Sequence, residues 1–164
     1  MATMRPTHLL ISALLLLNGC ILAGKHRSST CYVPCFGGPF VSPAGSLDCA
    51  AVEKNATRAL GDVASIYGGQ NEACAGVSSV ARVIVYPSAA VPGFDRMVGG
   101  YRSAGKEVLL GFYMAGFAHE LIHHWQWTHG EGGANSTNHV NWEARGWNAL
   151  DVDPAPARAA YPLL

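Results

Sequence analysis

The sequence has little charge for its length. Asp, Glu, Lys and Arg make up 13% of the 164 residues, and eleven basic residues balance eleven acidic ones. A chain without net charge creates no field strong enough to attract nucleic acid or an anionic membrane surface. We therefore expect no nucleic-acid partner. Apolar residues make up 49% of the chain, which is enough for the core of one compact domain.

The N-terminal apolar run is short. It extends from Leu9 to Leu17 and follows a polar head that contains Arg5 and His8. A run of this length does not span a bilayer as a stable anchor, and it is typical of an export signal. We therefore expect the chain to leave the cytoplasm.

The end of this run, Leu17-Asn18-Gly19-Cys20, resembles the lipobox of bacterial lipoproteins. The resemblance implies a signal peptide over residues 1–19 and a lipid on Cys20 that anchors the chain to the cell envelope. Ile21 stands where an Asp would resemble an inner-membrane retention signal, so outer-membrane sorting is implied. The alternative is an ordinary secretory signal that is cleaved near Ala23-Gly24 and discards Cys20.

The chain has only five cysteines, and because Cys20 is either lipidated or discarded, both cleavage alternatives leave four that can form disulfides. The four are Cys31, Cys35, Cys49 and Cys74. An exported chain meets an oxidising environment, so we expect two disulfides, in one of three connectivities that the sequence leaves open. A zinc site made of these cysteines is the weaker alternative, because oxidation opposes it.

The mature chain divides into three parts. Residues 20–47 form a tether followed by a Pro- and Gly-rich loop with two cysteines, residues 48–150 form the folded domain, and residues 151–164 form a loose tail. Within the domain, apolar spacing predicts a helix from Asp48 to Gly68-Gly69. A β-branched strand ending at Pro87 and a strand pair over residues 98–111 follow. We expect an α+β fold with a small mixed or antiparallel sheet.

The stretch FAHELIHHWQW, residues 117–127, contains the pattern HExxH. It lies in a helix predicted from about Phe112 to Thr128, which the Gly-rich segment 130–133 ends. On a helix, His119 and His123 project from one face and both imidazoles can bind one metal ion. Glu120 is then placed to act as general base on a metal-activated water. We expect Zn²⁺ at this site.

A catalytic zinc site needs a third protein ligand and an open position. The segment NHVNWEARGW offers His139 and Glu143, and a helix predicted from about His139 to Leu150 would place both on one side. Imidazole is a common zinc ligand, which favours His139. In that case Glu143 is placed to accept a hydrogen bond from a ligand imidazole.

At these residues the chain resembles a family. HELIHHWQ, followed after a Gly-rich loop by NHVNW, resembles the SprT-like zincin metallopeptidases, and the resemblance covers roughly residues 80–150. It implies a minimal zincin-like domain with His119, His123 and His139 as ligands and Glu120 as base. It also implies that a peptide substrate pairs with the strand at Lys106 to Gly111. The second resemblance is to thermolysin-like gluzincins, whose Glu-Ala matches Glu143-Ala144.

Other polar and aromatic residues near the motif have less specific interpretations. We expect His124 to lie at the surface or behind the ligands, because it is rotated away from the ligand face. Tyr101 and Tyr113 are candidates for a hydroxyl that stabilises an oxyanion. The four tryptophans are expected in the core, with one of them possible at the cleft. They are Trp125, Trp127, Trp142 and Trp147.

The sequence thus predicts an exported zinc peptidase that acts on a peptide or protein substrate and is anchored through Cys20, with secretion as the alternative. Two other functions remain open at this point. One is a non-catalytic envelope protein that uses the same fold to bind a partner or hold zinc. The other is a cell-wall amidase with the same site chemistry.

Overall fold

The computed structural model describes residues 27–43, 45–88, 91–93, 97–112, 114, 116–131, 139 and 141–147. The predicted signal peptide, the predicted lipidation site Cys20 and the predicted tail lie outside these residues. The described residues form an α+β fold, as the sequence predicts. Among them, no helix is both long and apolar enough to cross a bilayer.

The described residues contain three α-helices and seven short strands. The strands are β1 (Arg27–Ser28), β2 (Thr30–Cys31), β3 (Phe40–Val41), β4 (Leu47–Asp48), β5 (Arg82–Val85), β6 (Gly99–Arg102) and β7 (Glu107–Leu110). The helices are α1 (Cys49–Tyr67), α2 (Gln70–Val77) and α3 (Phe117–Thr128).

Helix α1 confirms the predicted caps. The Asp48 side chain accepts a hydrogen bond from the Ala51 amide at 3.2 Å, and Gly68 ends the helix with a left-handed φ of 97°. One stripe of the helix is buried in the core. It consists of Val52, Ala56, Ala59, Leu60 and Val63. Helix α2 follows almost at once and was not predicted from the sequence.

The main sheet has the strand order β2-β3-β5-β7-β6. Strands β3, β5 and β7 are parallel, while β2 and β6 pair antiparallel at the two edges. The core lies on the face of the sheet that the helices cover. The side chains that this face contributes from β5 and β7 alternate along each strand: Val83, Val85, Val108 and Leu110.

The cysteine-containing loop is more regular than its composition predicts. Disulfides Cys31–Cys49 and Cys35–Cys74 fix the loop to α1 and α2, which confirms two disulfides and identifies their connectivity. Two glycines allow its close approach to the turn after α2. A Cβ on Gly37 would lie 1.9 Å from the Ser78 carbonyl oxygen, and a Cβ on Gly38 would lie 1.8 Å from that of Ala81. The loop can therefore bring β3 alongside β5.

The motif helix begins later than predicted. It starts at Phe117 rather than near Phe112, and Gly116 precedes it with a left-handed φ of 76°. The chain from Gly111 to Phe112 still continues the sheet, since the Gly111 amide donates to the Val98 carbonyl and the Phe112 amide to the Ser88 carbonyl. These tertiary hydrogen bonds prevail over the helical pattern of the sequence.

The helix predicted from about His139 to Leu150 is not formed by the described residues of this segment. Residues 141–147 form successive turns rather than an α-helix. Asn141 and Gly146 have φ values of 69° and 70°, which a continuous right-handed helix does not accommodate. The third-ligand candidate His139 therefore precedes a compact turn, in which the Trp142 amide donates to the His139 carbonyl at 3.1 Å.

Candidate metal centre

Three histidines converge at the start of α3. His119 and His123 lie one turn apart on the helix, and their Nε2 atoms are 3.1 Å from each other. The Nε2 atom of His139 lies 3.2 Å from that of His119. The first two side chains are buried and the third is exposed, so the cluster opens to solvent on the side of His139.

The donor set fits a metal ion. Ligands held 2.0–2.1 Å from a tetrahedral zinc ion lie about 3.3 Å from each other, close to the two nitrogen distances in this cluster. Nε2 of His119 takes part in both contacts, so the three imidazoles point toward a common position. These three histidines could hold one metal ion.

Burial keeps His123 in the form that binds metal. Loss of hydration on burial, together with the neighbouring His119 and His139, lowers the pKa of His123 to about 3, and only its hydrogen bond to Gln126 acts in the other direction. The imidazole is therefore neutral at pH 7. A neutral imidazole offers one nitrogen lone pair to a metal.

Gln126 contacts the opposite side of the His123 ring. Its Oε1 atom lies 3.1 Å from His123 Nδ1, and both side chains are buried. Sequence reasoning assigned the role of ligand acceptor to Glu143 and missed Gln126. The spacing of three residues on one helix is the signal that could have identified it.

The structure brings His139, and not Glu143, to the histidine pair. Glu143 is exposed, and it is not among the residues whose ligand atoms come together in the described part of the chain. Because the segment is a series of turns rather than a helix, residues 139 and 143 do not share a helical face. The position of Glu143 therefore supports neither the role of third ligand nor that of hydrogen-bond acceptor.

Glu120 lies between α3 and the edge strand β6. The side chain is buried, with 4% of its surface exposed. A Cβ built on Gly99 would lie 2.7 Å from Glu120 Oε1, so the absence of a side chain at Gly99 makes room for the carboxylate. Glu120 directly follows the ligand candidate His119 in α3, and its side chain faces Gly99 of β6.

His124 is completely buried, which excludes the surface position and leaves the other expected position, behind the ligands. Its Nε2 lies 2.9 Å from Ser79 Oγ, and its Nδ1 lies 2.9 Å from the Tyr101 hydroxyl. Burial lowers the pKa of His124 to about 4, although a hydrogen bond to the Gly76 carbonyl opposes this shift. His124 thus links α3 to β6 and to the turn after α2.

Helix α3 consequently presents two pairs of residues with a spacing of four. His119 and His123 form the ligand pair, while Glu120 and His124 face Gly99 and Tyr101 of β6. The hydroxyl of Tyr101 therefore has a partner inside the fold, which argues against the predicted oxyanion role. The placement of Tyr113 lies outside the described residues.

Trp142 packs against all three histidines. Its ring centroid lies 4.7, 5.0 and 4.4 Å from those of His119, His123 and His139 respectively. The side chain is 1% exposed, so it belongs to the core as well as to the site. It is the tryptophan that the sequence allowed beside the cleft, and it supports the imidazoles from within the protein.

The predicted substrate strand is wrong. The segment from Lys106 to Gly111 contains β7, and β7 is paired with β5 on one side and with β6 on the other. Its main-chain groups are already used in two ladders, so it has no edge for a peptide. The strand at the edge next to α3 is β6.

Comparison of the chain with protein-family models, with curated proteins and with solved structures finds no match. The resemblance to SprT-like zincins therefore remains an expectation from the motif residues, and the functional argument depends on the geometry of the site.

Proposed function

We propose that this protein is a zinc-dependent peptidase. The observation that carries the proposal is the convergence of three imidazoles on the helix that also carries Glu120. His119, His123 and His139 are the proposed ligands, and Glu120 is the proposed general base. The three-histidine set with a glutamate next to the first ligand is a donor set suited to hydrolysis.

Zinc at this site would polarise the scissile carbonyl and make water a better nucleophile near neutral pH. Glu120 takes a proton from the attacking water as the new C–O bond forms. It then gives that proton to the leaving amine as the C–N bond breaks. Burial of the carboxylate against Gly99 holds its side chain on the β6 side of the helix during both transfers.

The edge strand β6 is the proposed place of the peptide. Among the residues that the structure describes, β6 pairs with β7 on one side and ends the sheet order on the other. An extended peptide added to this edge would gain main-chain hydrogen bonds and pass beside Gly99, where Glu120 lies. The proposed peptide strand is thus β6 rather than β7, which was chosen from the sequence. Recognition by main-chain pairing stays the same.

The two disulfides indicate an extracellular or periplasmic protein. We further propose that a lipid on Cys20 anchors it to the bacterial cell envelope, at the outer membrane. That anchor would hold the enzyme at the membrane, close to peptide and protein substrates of the envelope.

The test compares the wild-type chain with Glu120→Gln, with zinc content and cleavage of casein measured on the same preparations. Casein is unstructured, so its segments can adopt the extended form that β6 requires. We expect about one zinc per chain in both proteins and cleavage by the wild type alone. Glu53→Gln is the matched control, because it makes the same change on an exposed surface and should leave cleavage intact.

Cleavage by a pure Glu120→Gln preparation would contradict the assigned base. One zinc per chain without cleavage by the wild type would instead identify a non-catalytic zinc-binding protein. A wild-type chain that binds no zinc would overturn the proposed function as a whole.

A further inference from the structure

We infer that Gln126 is a positioning residue that reserves Nε2 of His123 for the metal by holding the imidazole proton on Nδ1. The inference rests on the proposed function for the identity of the ligand as a metal ion. The hydrogen bond itself is a property of the protein alone and can be measured without metal.

The contact is short and protected from water. Gln126 Oε1 lies 3.1 Å from His123 Nδ1, and the two side chains are 6% and 5% exposed. They lie three residues apart on α3, within one helical turn. On the other side of the His123 ring, Nε2 lies 3.1 Å from Nε2 of His119. Water therefore does not compete for the Nδ1 proton.

A neutral imidazole has one N–H and one lone pair, and the partner of one nitrogen decides the role of the other. An amide oxygen accepts a proton and cannot donate one. With Oε1 facing Nδ1, the proton resides on Nδ1 and the Nε2 lone pair faces the cluster. If the amide nitrogen faced the ring instead, Nε2 would carry the proton and could not bind a metal.

The neighbouring residue, His124, has different partners at its two ring nitrogens. Both ring nitrogens of His124 contact hydroxyl groups, of Ser79 and of Tyr101, on other elements of the fold. His124 is thus committed to the interior, while His123 has one nitrogen on Gln126 and the other on the cluster. The partners of these two adjacent histidines therefore give them different roles: His124 is structural, and His123 is a proposed ligand.

Removing the acceptor should weaken metal binding. Loss of a group that orients a ligand histidine typically reduces metal affinity about 10- to 100-fold. We expect this reduction for Gln126→Leu, which removes the amide and keeps an apolar side chain of similar size. Gln126→Glu keeps an acceptor for the Nδ1 proton and should restore zinc affinity to within a few-fold of the wild type.

Tyr67→Phe is the control for general destabilisation of the helix. The Tyr67 hydroxyl donates to the Leu121 carbonyl of α3 at 2.8 Å, so its removal also deletes one hydrogen bond to this helix. Within the described part of the chain, its hydroxyl bonds to this main-chain carbonyl and not to an imidazole. We therefore expect a small loss of stability with unchanged zinc affinity.

The experiment has two readouts. Long-range ¹H–¹⁵N NMR on the metal-free, ¹⁵N-labelled chain should show His123 protonated on Nδ1 in the wild type, in Tyr67→Phe and in Gln126→Glu, and altered in Gln126→Leu. Zinc affinity, measured by competition with a chromophoric chelator, should follow the same order.

A proton on Nε2 of His123 in the wild type would overturn the inference, as would equal loss of zinc in Gln126→Leu and Tyr67→Phe. A wild type that binds no zinc but carries the Nδ1 proton would refute the proposed function and leave the hydrogen-bond assignment standing.

Discussion

Gly99 of β6 and Glu120 of α3 meet so closely that a Cβ on the glycine would lie 2.7 Å from Glu120 Oε1. The same helix and strand meet again one turn further, where His124 contacts the Tyr101 hydroxyl at 2.9 Å. The edge strand and the motif helix are therefore held together at two points. The proposed base lies at one of them, beside the edge where a peptide would pair.

The first prediction concerns Gly99→Ala. The added methyl group should displace the Glu120 carboxylate, because the surrounding protein leaves this buried side chain little space. Misplacement of a reacting group by about 1 Å costs roughly 100-fold in rate, so we expect kcat/KM on a casein-derived peptide to fall 10- to 100-fold. Zinc content should remain the same.

Gly61→Ala is the matched control. It makes the same change within α1, where a Cβ meets no atom within 4 Å. Its activity should equal that of the wild type, and its stability should rise by about 0.5–1 kcal/mol through helix propensity. Wild-type activity in Gly99→Ala would show that the contact with Glu120 has no role in catalysis.

The second prediction concerns Tyr101→Phe. This change removes one hydroxyl and leaves a buried His124 nitrogen without that partner. Such a loss typically lowers the free energy of unfolding by about 1–3 kcal/mol. Urea denaturation of the metal-free chain measures it, and Tyr32→Phe, at a side chain 80% exposed, should be neutral. If both changes lowered the free energy of unfolding by the same amount, the hydrogen bond between Tyr101 and His124 would have no special importance for stability.

The third prediction is a dependence of stability on pH. Burial lowers the pKa of His123 to about 3 and that of His124 to about 4, below the unfolded value of 6.5. The unfolded chain therefore binds more protons below pH 6.5. The free energy of unfolding of the metal-free chain should therefore be highest above this pH. As the pH decreases toward 4, it should fall by up to about 1.4 kcal/mol per pH unit for each of the two histidines.

Urea titrations between pH 7 and pH 5 test this dependence in a window where most carboxylates remain ionised. His124→Gln should reduce the slope by about half, whatever its effect on absolute stability. A flat free energy of unfolding across this window would contradict the assignment of two neutral, buried histidines.

The sequence was informative where the signal is local. Asp48 and Gly68 predicted the ends of α1 through capping and backbone conformation, and the HExxH spacing placed His119 and His123 on one face of α3. The strand pair predicted over residues 98–111 is present as β6 and β7. Each of these features depends on residues within about one helical turn or one hairpin.

Features that depend on distant contacts were missed. The sequence could not decide whether His124 lies at the surface or behind the ligands, because its partners Ser79 and Tyr101 come from other elements. The identity of the edge strand depends on the pairing of β5 with β7, which no local pattern reveals. The sequence allowed one of four tryptophans at the cleft but could not show that it is Trp142. Gln126, in contrast, was missed although its contact with His123 lies within one helical turn.

The central claim is that His119, His123 and His139 together hold one zinc ion. Its most direct test is zinc stoichiometry of the wild type, His139→Ala and Glu143→Ala after dialysis against a weak chelator. We predict about one zinc per chain in the wild type and in Glu143→Ala, and loss of zinc in His139→Ala. Zinc retained by His139→Ala and lost from Glu143→Ala would contradict the three-histidine site.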